Sequence, residues 1–326
     1  MTAPASSLPA FVSRFRWRPE WTRRFQGWPA WFALGVVAYI FFLYVAFPYE
    51  SLGERLASEA ARAGISLRIG KLGPAVLGIR AREVSLGPLS HDAAAPAETV
   101  RVDSVTLRPS LLPRGVAFSV RALGGTLSGV WAVSNSRTHL RADWEDLDPS
   151  LGNFAGFSGV ALSGKVSGDV LLNVPPREGS QTGPRSPDFA AAEGHLNLHA
   201  QNFNVLGGRL SVPLYGQSMP LDLPKLGLGN IDIALKAEKG EAAIERLEAK
   251  GGEAELLGEG KLRLRQPPMQ SELDTQLSLK VDSAAVSRLG LLGGGLSILS
   301  EDRKNRGFRA AKLTGRLARP QFMPGR

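Results

Sequence analysis

After residue 63 the chain alternates between apolar and polar residues over one short segment after another. The clearest segment is 273–281, where Leu273, Thr275, Leu277, Leu279 and Val281 alternate with Asp, Gln, Ser and Lys. A period of two places successive side chains on opposite faces of a β-strand. One apolar and one polar face are typical of antiparallel strands with a single buried side. The predicted fold class is therefore mainly β, built on an antiparallel sheet.

The same alternation predicts other strands, and recurrent glycines beside them indicate a sheet extended by similar hairpins. In one strand, Val100, Val102, Ser104 and Thr106 are expected to share a face. Other strands are expected within 116–122, 160–172, 194–200 and 231–235. Segments rich in Pro, Gly and Ser predict loops, the strongest near 174–190 and others at 91–98 and 211–230. The segment 284–298 is a helix candidate, although three consecutive glycines within it argue against a long helix.

Two helices are predicted before the strands. Residues 28–47 contain no charge, and a helix of that length spans roughly 30 Å, the thickness of a bilayer core. Residues 50–63 place Leu52, Leu56 and Ala60 on one helical stripe, which predicts a short amphipathic helix. The candidate anchor residues are apolar or aromatic side chains of the first helix: Trp28, Trp31, Tyr39, Phe42, Tyr44 and Phe47.

Charge on the two sides of this segment predicts its orientation. Five arginines and one glutamate precede it, whereas residues 49–63 carry three glutamates and two arginines. By the positive-inside rule, residues 1–27 form a basic cytoplasmic head, 28–48 a transmembrane helix and 49–326 an exported, periplasmic β-rich domain. The alternative is a cleaved signal peptide, but its apolar region is usually about 7–15 residues long and no A-x-A site follows Phe47.

Composition limits what the exported part can be. The chain has no cysteine, so disulfides do not stabilise it and its fold must depend on burial and backbone pairing. The net charge is +9; five arginines and one glutamate near the N-terminus account for +4, which leaves a weakly basic remainder of +5. The basic residues form no stripe with interleaved aromatics, and export removes most nucleic-acid roles. We therefore expect no nucleic-acid partner.

The motifs that suggest chemistry are better explained as structure. Residues 159–166, GVALSGKV, lack the Ser or Thr that a phosphate loop needs after its lysine, and their alternation continues as a strand. His195 and His199 share the polar side of one strand, where four residues span roughly 13 Å, too far for one metal ion. The acidic cluster at 143–148 lacks the glycine turn of a calcium loop. We expect no cofactor, no metal site and no enzymatic activity.

The order of parts resembles that of a known family. A basic head and one apolar helix lead into PYESLGERLASEAARAGISLRIGKLGP and LGIRAREVSLGPL, and a strand-rich body ends in LTGRLARPQFMP. This layout resembles the type II secretion system protein N family, an accessory inner-membrane component of the machine that moves folded exoproteins across the outer membrane. It is more distantly similar to the AsmA-like group. Both resemblances imply an extended, curved sheet with an apolar face.

Two functions follow from these resemblances. The first is an inner-membrane, single-pass component of the type II secretion system that acts through contacts with other secretion subunits. The second is binding or transfer of lipid, with the acyl chains of phospholipid or lipopolysaccharide held on the apolar face. The candidate residues of that face are Leu273, Leu277, Leu279 and Val281. The sequence leaves both alternatives open, together with the question of whether the sheet is open or closed.

Overall fold

The structure is a computed structural model that describes residues 27–62, 65–88, 100–111, 114–134, 137–155, 159–176, 188–214, 217–265, 270–317 and 319–325. The chain divides into two compact units between Pro48 and Tyr49. In the first unit, helix α1 spans Gly27–Val45; the predicted basic head lies outside the described residues except for Gly27. The second unit begins with helix α2, Tyr49–Arg62, which confirms the predicted amphipathic helix.

The rest of the second unit is one antiparallel sheet of fifteen strands, which confirms the predicted mainly β class. The strands are β1 Ile65–Ala75, β2 Gly78–Pro88, β3 Val100–Leu111, β4 Arg114–Ala122, β5 Gly125–Ser134, β6 Arg137–Leu147, β7 Val160–Val174, β8 Glu193–Leu214, β9 Gln217–Leu223, β10 Leu226–Glu238, β11 Glu241–Lys250, β12 Ala254–Arg263, β13 Glu272–Val281, β14 Arg309–Arg316 and β15 Arg319–Pro324. Each pairs with its neighbours in chain order, except that β9 pairs only with β8 and β10 follows β8. Within the described residues β1 and β15 do not pair, so the sheet is open.

Short helical segments interrupt the strands at three places. Turns of 3-10 helix cover Pro149–Leu151 and Phe189–Ala191. Between β13 and β14 lie α3, Ser283–Arg288, and α4, Leu291–Ile298, which confirms a helical segment without a long helix. The predicted loop near 174–190 follows β7, but its residues 177–187 lie outside the described ones, as does the predicted loop at 91–98.

Two details of the sequence prediction were wrong. Residues 211–230, expected to be a loop, continue β8 to Leu214 and form β9 and the start of β10. Pro220 of β9 lies opposite Ser211 of β8. Its missing N–H is tolerated because β9 has a partner strand on one side only. In β3 a bulge between Val102 and Ser104 shifts the register, so Val105 and not Ser104 continues the face of Val102.

Register assigns every strand an apolar face and a polar face. We call the face that holds Leu273, Leu277, Leu279 and Val281 of β13 the apolar face, and its opposite the polar face. Helix α2 lies near the start of the apolar face, since a Cβ at Gly53 would lie 3.9 Å from Leu72 of β1. Leu72 packs there against a buried cluster formed by Ala81, Val84, Val102 and Ala122.

Large side chains on the apolar face lie over glycines of the adjacent strand. Phe118 of β4 lies over Gly129 of β5, and Trp144 of β6 lies over Gly168 of β7. A Cβ at Gly168 would lie 2.6 Å from Cζ2 of Trp144 and 2.3 Å from the carbonyl oxygen of Asn197 on β8. Such distances leave no space for a methyl group, so glycine at these positions allows the aromatic rings to approach the backbone closely.

This packing predicts that Gly168→Ala destabilises the protein. The methyl group would displace both the Trp144 ring and the β8 backbone, and overpacking of this kind costs about 1–3 kcal/mol. Gly73→Ala in β1 is the matched control, because a Cβ there meets nothing within 4 Å. Urea unfolding of the full chain in neutral detergent should show a lower midpoint for Gly168→Ala and an unchanged one for Gly73→Ala. Equal midpoints for the two variants would contradict the packing argument.

Candidate functional site

The apolar face continues from one end of the sheet to the other. In β13, Leu273, Leu277, Leu279 and Val281 are all partly buried on this face. One row of directly paired positions crosses fourteen strands and contains a single polar residue, Thr275. From β1 to β15 the row is Pro74, Ile79, Leu107, Phe118, Gly129, Ala142, Val170, Leu196, Leu235, Ile244, Gly260, Thr275, Leu313 and Phe322.

The apolar face is only partly covered by the protein itself. The buried residues are mostly alanines and valines, and the larger buried side chains among the described residues are Tyr49 and Leu299. On this face Trp131 is 59% exposed and Phe322 is 58% exposed. In a domain with a second layer, side chains of this size would be enclosed. The face is therefore available to a ligand or a partner.

The one polar member of the row is also unusual. Thr275 is 2% exposed, and its hydroxyl has no hydrogen-bond partner among the described residues. It lies opposite Gly260, where a Cβ would come within 3.0 Å of Thr275 Oγ1. Gly260 leaves room for the Thr275 hydroxyl but offers it no side-chain acceptor. The hydroxyl therefore adds no hydrogen bond to the apolar face at this point.

The candidate anchor residues lie in or next to α1. Trp31, Tyr39 and Phe42 are 66–72% exposed, and Tyr44 is partly buried. Phe47 follows the end of the helix and is 43% exposed, while the side chain of Trp28 lies outside the described ones. Searching the described part of the chain finds no helix with both the length and the apolar character needed to cross a membrane. The anchor stays a prediction.

On the polar face, hydrogen bonds across strands hold the histidines. His195 donates from Nε2 to Asp169 Oδ2 over 3.1 Å, and His199 donates from Nδ1 to Asp232. His139 donates to Asn173 Oδ1 over 2.6 Å. The two histidines of β8 therefore bind carboxylates of different strands. Among the described residues no group of three or more His, Asp or Glu could hold a metal ion.

The acidic cluster at 143–148 and the segment 159–166, which resembles a phosphate loop, both belong to the sheet and its turns. Asp143 lies 3.5 Å from Arg141, and Asp146 lies 3.6 Å from Lys165. The carboxylate of Asp148 accepts from the backbone N–H of Ser150 and caps a 3-10 turn. Residues 160–166 belong to β7, which confirms that GVALSGKV is a strand.

Two carboxylates near the C-terminal strands have lowered pKa values. A hydrogen bond from the Ser278 hydroxyl is the largest cause for Asp302, followed by backbone and side-chain donors of the same loop. The backbone N–H of Gly227, and then Arg288, lower the pKa of Glu253. Both groups are thus held ionised and connect loops to the sheet. A general acid at neutral pH needs the opposite shift.

Comparisons with protein-family models, curated proteins and solved structures found no match for the chain. The resemblance to the type II secretion system protein N family therefore stays a prediction, and so does the likeness to the AsmA-like group. The site is defined by its geometry, an open apolar face on a long sheet. Sequence alternation identified its β13 residues, whereas Trp131 and Phe322 are recognised only once strand pairing brings them into the same face.

Proposed function

We propose that this protein is an accessory component of the type II secretion system, anchored in the bacterial inner membrane, that acts through a curved periplasmic sheet and not as an enzyme. The observation that supports the proposal best is the apolar row across fourteen strands, on a face that the protein itself covers only in part. Contiguous apolar patches larger than a few hundred Å² are rare on soluble monomers and usually mark interaction sites. The layout that resembles the protein N family suggests other secretion subunits as partners.

Curvature of the sheet is part of this proposal. Register shifts occur in the pairings of β3, β6, β7, β8, β10 and β11, and each bulge bends its strand and increases the local twist. Consecutive antiparallel strands also carry their own right-handed twist. An open sheet of this length that bends repeatedly would present its apolar face as a groove.

The secretion role predicts that a charge on the apolar face abolishes function. Trp131→Asp puts a carboxylate on the apolar side of β5, where an apolar partner would have to desolvate it. Ser134→Asp is the matched control, because it adds the same charge to the polar side of the same strand. In a strain that lacks the gene, the wild type and Ser134→Asp should restore exoprotein secretion and Trp131→Asp should not.

Two results together would reject this role. The first is unchanged exoprotein secretion after deletion of the gene. The second is that photocrosslinkers placed at Trp131 and Phe322 in cells capture no secretion subunit. Western blotting for the full chain confirms that each variant accumulates, which is expected because both Trp131 and Ser134 are exposed.

The membrane anchor is proposed at residues 28–47. Support comes from the absence of charge in this segment, from the 19-residue helix α1 and from the exposure of its large apolar side chains. In water such exposure is unfavourable, whereas in a bilayer the same side chains contact hydrocarbon. The arginines before the helix favour a cytoplasmic N-terminus.

This topology predicts the activity of reporter fusions. Alkaline phosphatase, which is active only after export, should work when fused after Arg326 and fail when fused before Phe11. Val36→Arg with Ala38→Arg should reduce membrane integration, since each charge costs about 2.5–3.5 kcal/mol near the bilayer centre. Activity of the fusion before Phe11, or a mature N-terminus near residue 48, would contradict the proposal.

Lipid binding is the second candidate function, and the length of the apolar row favours it. Fourteen strands at about 4.8 Å per strand extend on the order of 60 Å along the sheet, several times the roughly 15 Å depth of one leaflet's hydrocarbon. A protein contact needs only a patch, whereas a continuous row could accommodate acyl chains of phospholipid or lipopolysaccharide in succession. The row is broken by no charged side chain.

Lipid binding predicts a face-specific crosslink in cells. A photoreactive residue in place of Leu277, on the apolar face, should form covalent lipid adducts that mass spectrometry detects on the purified chain. The same residue in place of Gln276, which is exposed on the polar face of the same strand, should not. Lipid adducts from neither position, or equally from both, would reject this function. A protein adduct at Leu277 alone would favour the secretion role.

A further inference from the structure

Positive charge is concentrated on the first four strands of the sheet. The described residues from 65 to 122 contain eight Lys or Arg and two acids, Glu83 and Asp103, whereas those from 125 to 325 contain twenty-one of each sign. The weakly basic remainder of the chain is therefore not evenly distributed over the described strands. The excess belongs to one end of the sheet.

Among the described residues, the arginines at this end have no acidic partner within 4 Å. Twelve ion pairs of Lys or Arg with Asp or Glu lie between residues 141 and 312. In the described residues from 65 to 134 there is none within 4 Å. Because guanidinium groups remain charged at any physiological pH, the described residues at this end of the sheet carry an excess of positive charge.

Strand register gathers four of these arginines around one groove. The groove has a volume of about 720 Å³ and lies on the polar face of β2, β3 and β4. Arg80 and Arg82 come from β2, Arg108 from β3 and Arg121 from β4. Its one acid, Asp103, lies in the β3 bulge and is exposed. The volume is within the range of roughly 300–1,000 Å³ that is usual for small-ligand sites.

The floor of the groove consists of hydroxyl groups between the arginines. Ser104 pairs with Arg82 on one side and with Arg121 on the other, so the two arginines flank it across a distance of roughly 10 Å between Cα atoms. Thr106, one step along β3, is 6% exposed and accepts from Arg80 Nε over 3.1 Å. This bond holds one guanidinium over the floor and leaves its terminal nitrogens available.

We propose that this groove binds a phosphate group, with the guanidinium groups of Arg80, Arg82 and Arg121 as ligands and the Ser104 hydroxyl beneath it. Arginine presents a planar fork of donors that matches the oxygens of a phosphate, and such charge-assisted pairs are among the strongest hydrogen bonds. The ligand is either the headgroup of an anionic lipid or a soluble phosphate. The site does not depend on the secretion role or on lipid binding at the apolar face.

The test measures dissociation constants by calorimetry on the full chain in neutral detergent. The probes are inorganic phosphate and two soluble short-chain lipids, dihexanoylphosphatidylglycerol and dihexanoylphosphatidylcholine. Arg82→Gln with Arg121→Gln should weaken binding about tenfold or more and leave the fold intact, since both side chains are exposed. Arg82→Lys with Arg121→Lys keeps the charge and removes the planar fork of guanidinium donors. The affinity of this variant should therefore fall between that of the wild type and that of the double glutamine variant.

The matched control is Lys280→Gln with Lys312→Gln. It removes the same charge from the same face, but these lysines pair with Glu255 and Asp274 over 3.4 and 2.9 Å. Its dissociation constants should equal those of the wild type. If phosphatidylglycerol binds at least tenfold more tightly than inorganic phosphate, the ligand is a lipid headgroup. If inorganic phosphate binds as tightly as phosphatidylglycerol, the ligand is a soluble phosphate. The proposal is overturned if neither binds, if the double glutamine variant binds normally, or if the control loses as much affinity.

Discussion

Backbone pairing between consecutive strands is the interaction on which the rest of this protein depends. Each strand from β2 to β14, apart from β9, pairs with at least two other strands, so the polar groups of its backbone are satisfied without a second layer. The cost of such a sheet is its free edges, which can recruit further strands. The outermost strand, β15, contains Pro320 and Pro324, and proline lacks the N–H that a further ladder would need.

The thin core follows from the same organisation. In a two-layer domain, large side chains interdigitate between layers, but here the most buried positions are small residues such as Ala132, Ala249 and Ala254, enclosed by their own neighbours within the sheet. Larger side chains of the apolar face shield one another only in part. Glycines at positions such as Gly168 and Gly258 let them lie close to the backbone and increase that shielding. The single-layer sheet therefore accounts both for the stability of the protein and for the exposure of its apolar face.

Local pattern was enough to predict the mainly β class and several of the strands, because alternation along a segment depends only on that segment. It identified the two faces of β13, the strand nature of GVALSGKV and the helix at 49–62. It failed where one residue changes the register, as at the bulge near Asp103, and where prolines occupy a strand with one free side. The arginine groove was out of reach for the same reason. Arg82 and Arg121 are 39 positions apart, and only the pairing of both with Ser104 brings them together.

The two faces also determine which ligands can use both sites. The arginine groove opens on the polar face, whereas the apolar row lies on the opposite side of the same backbone. A lipid with its headgroup in the groove cannot place its acyl chains on the apolar face through the sheet; it would have to pass around the edge strand β1. Near that edge the apolar face is occupied by α2, which packs on Leu72. Binding at one face therefore contributes little to binding at the other, and the affinities of the two sites are expected to be independent.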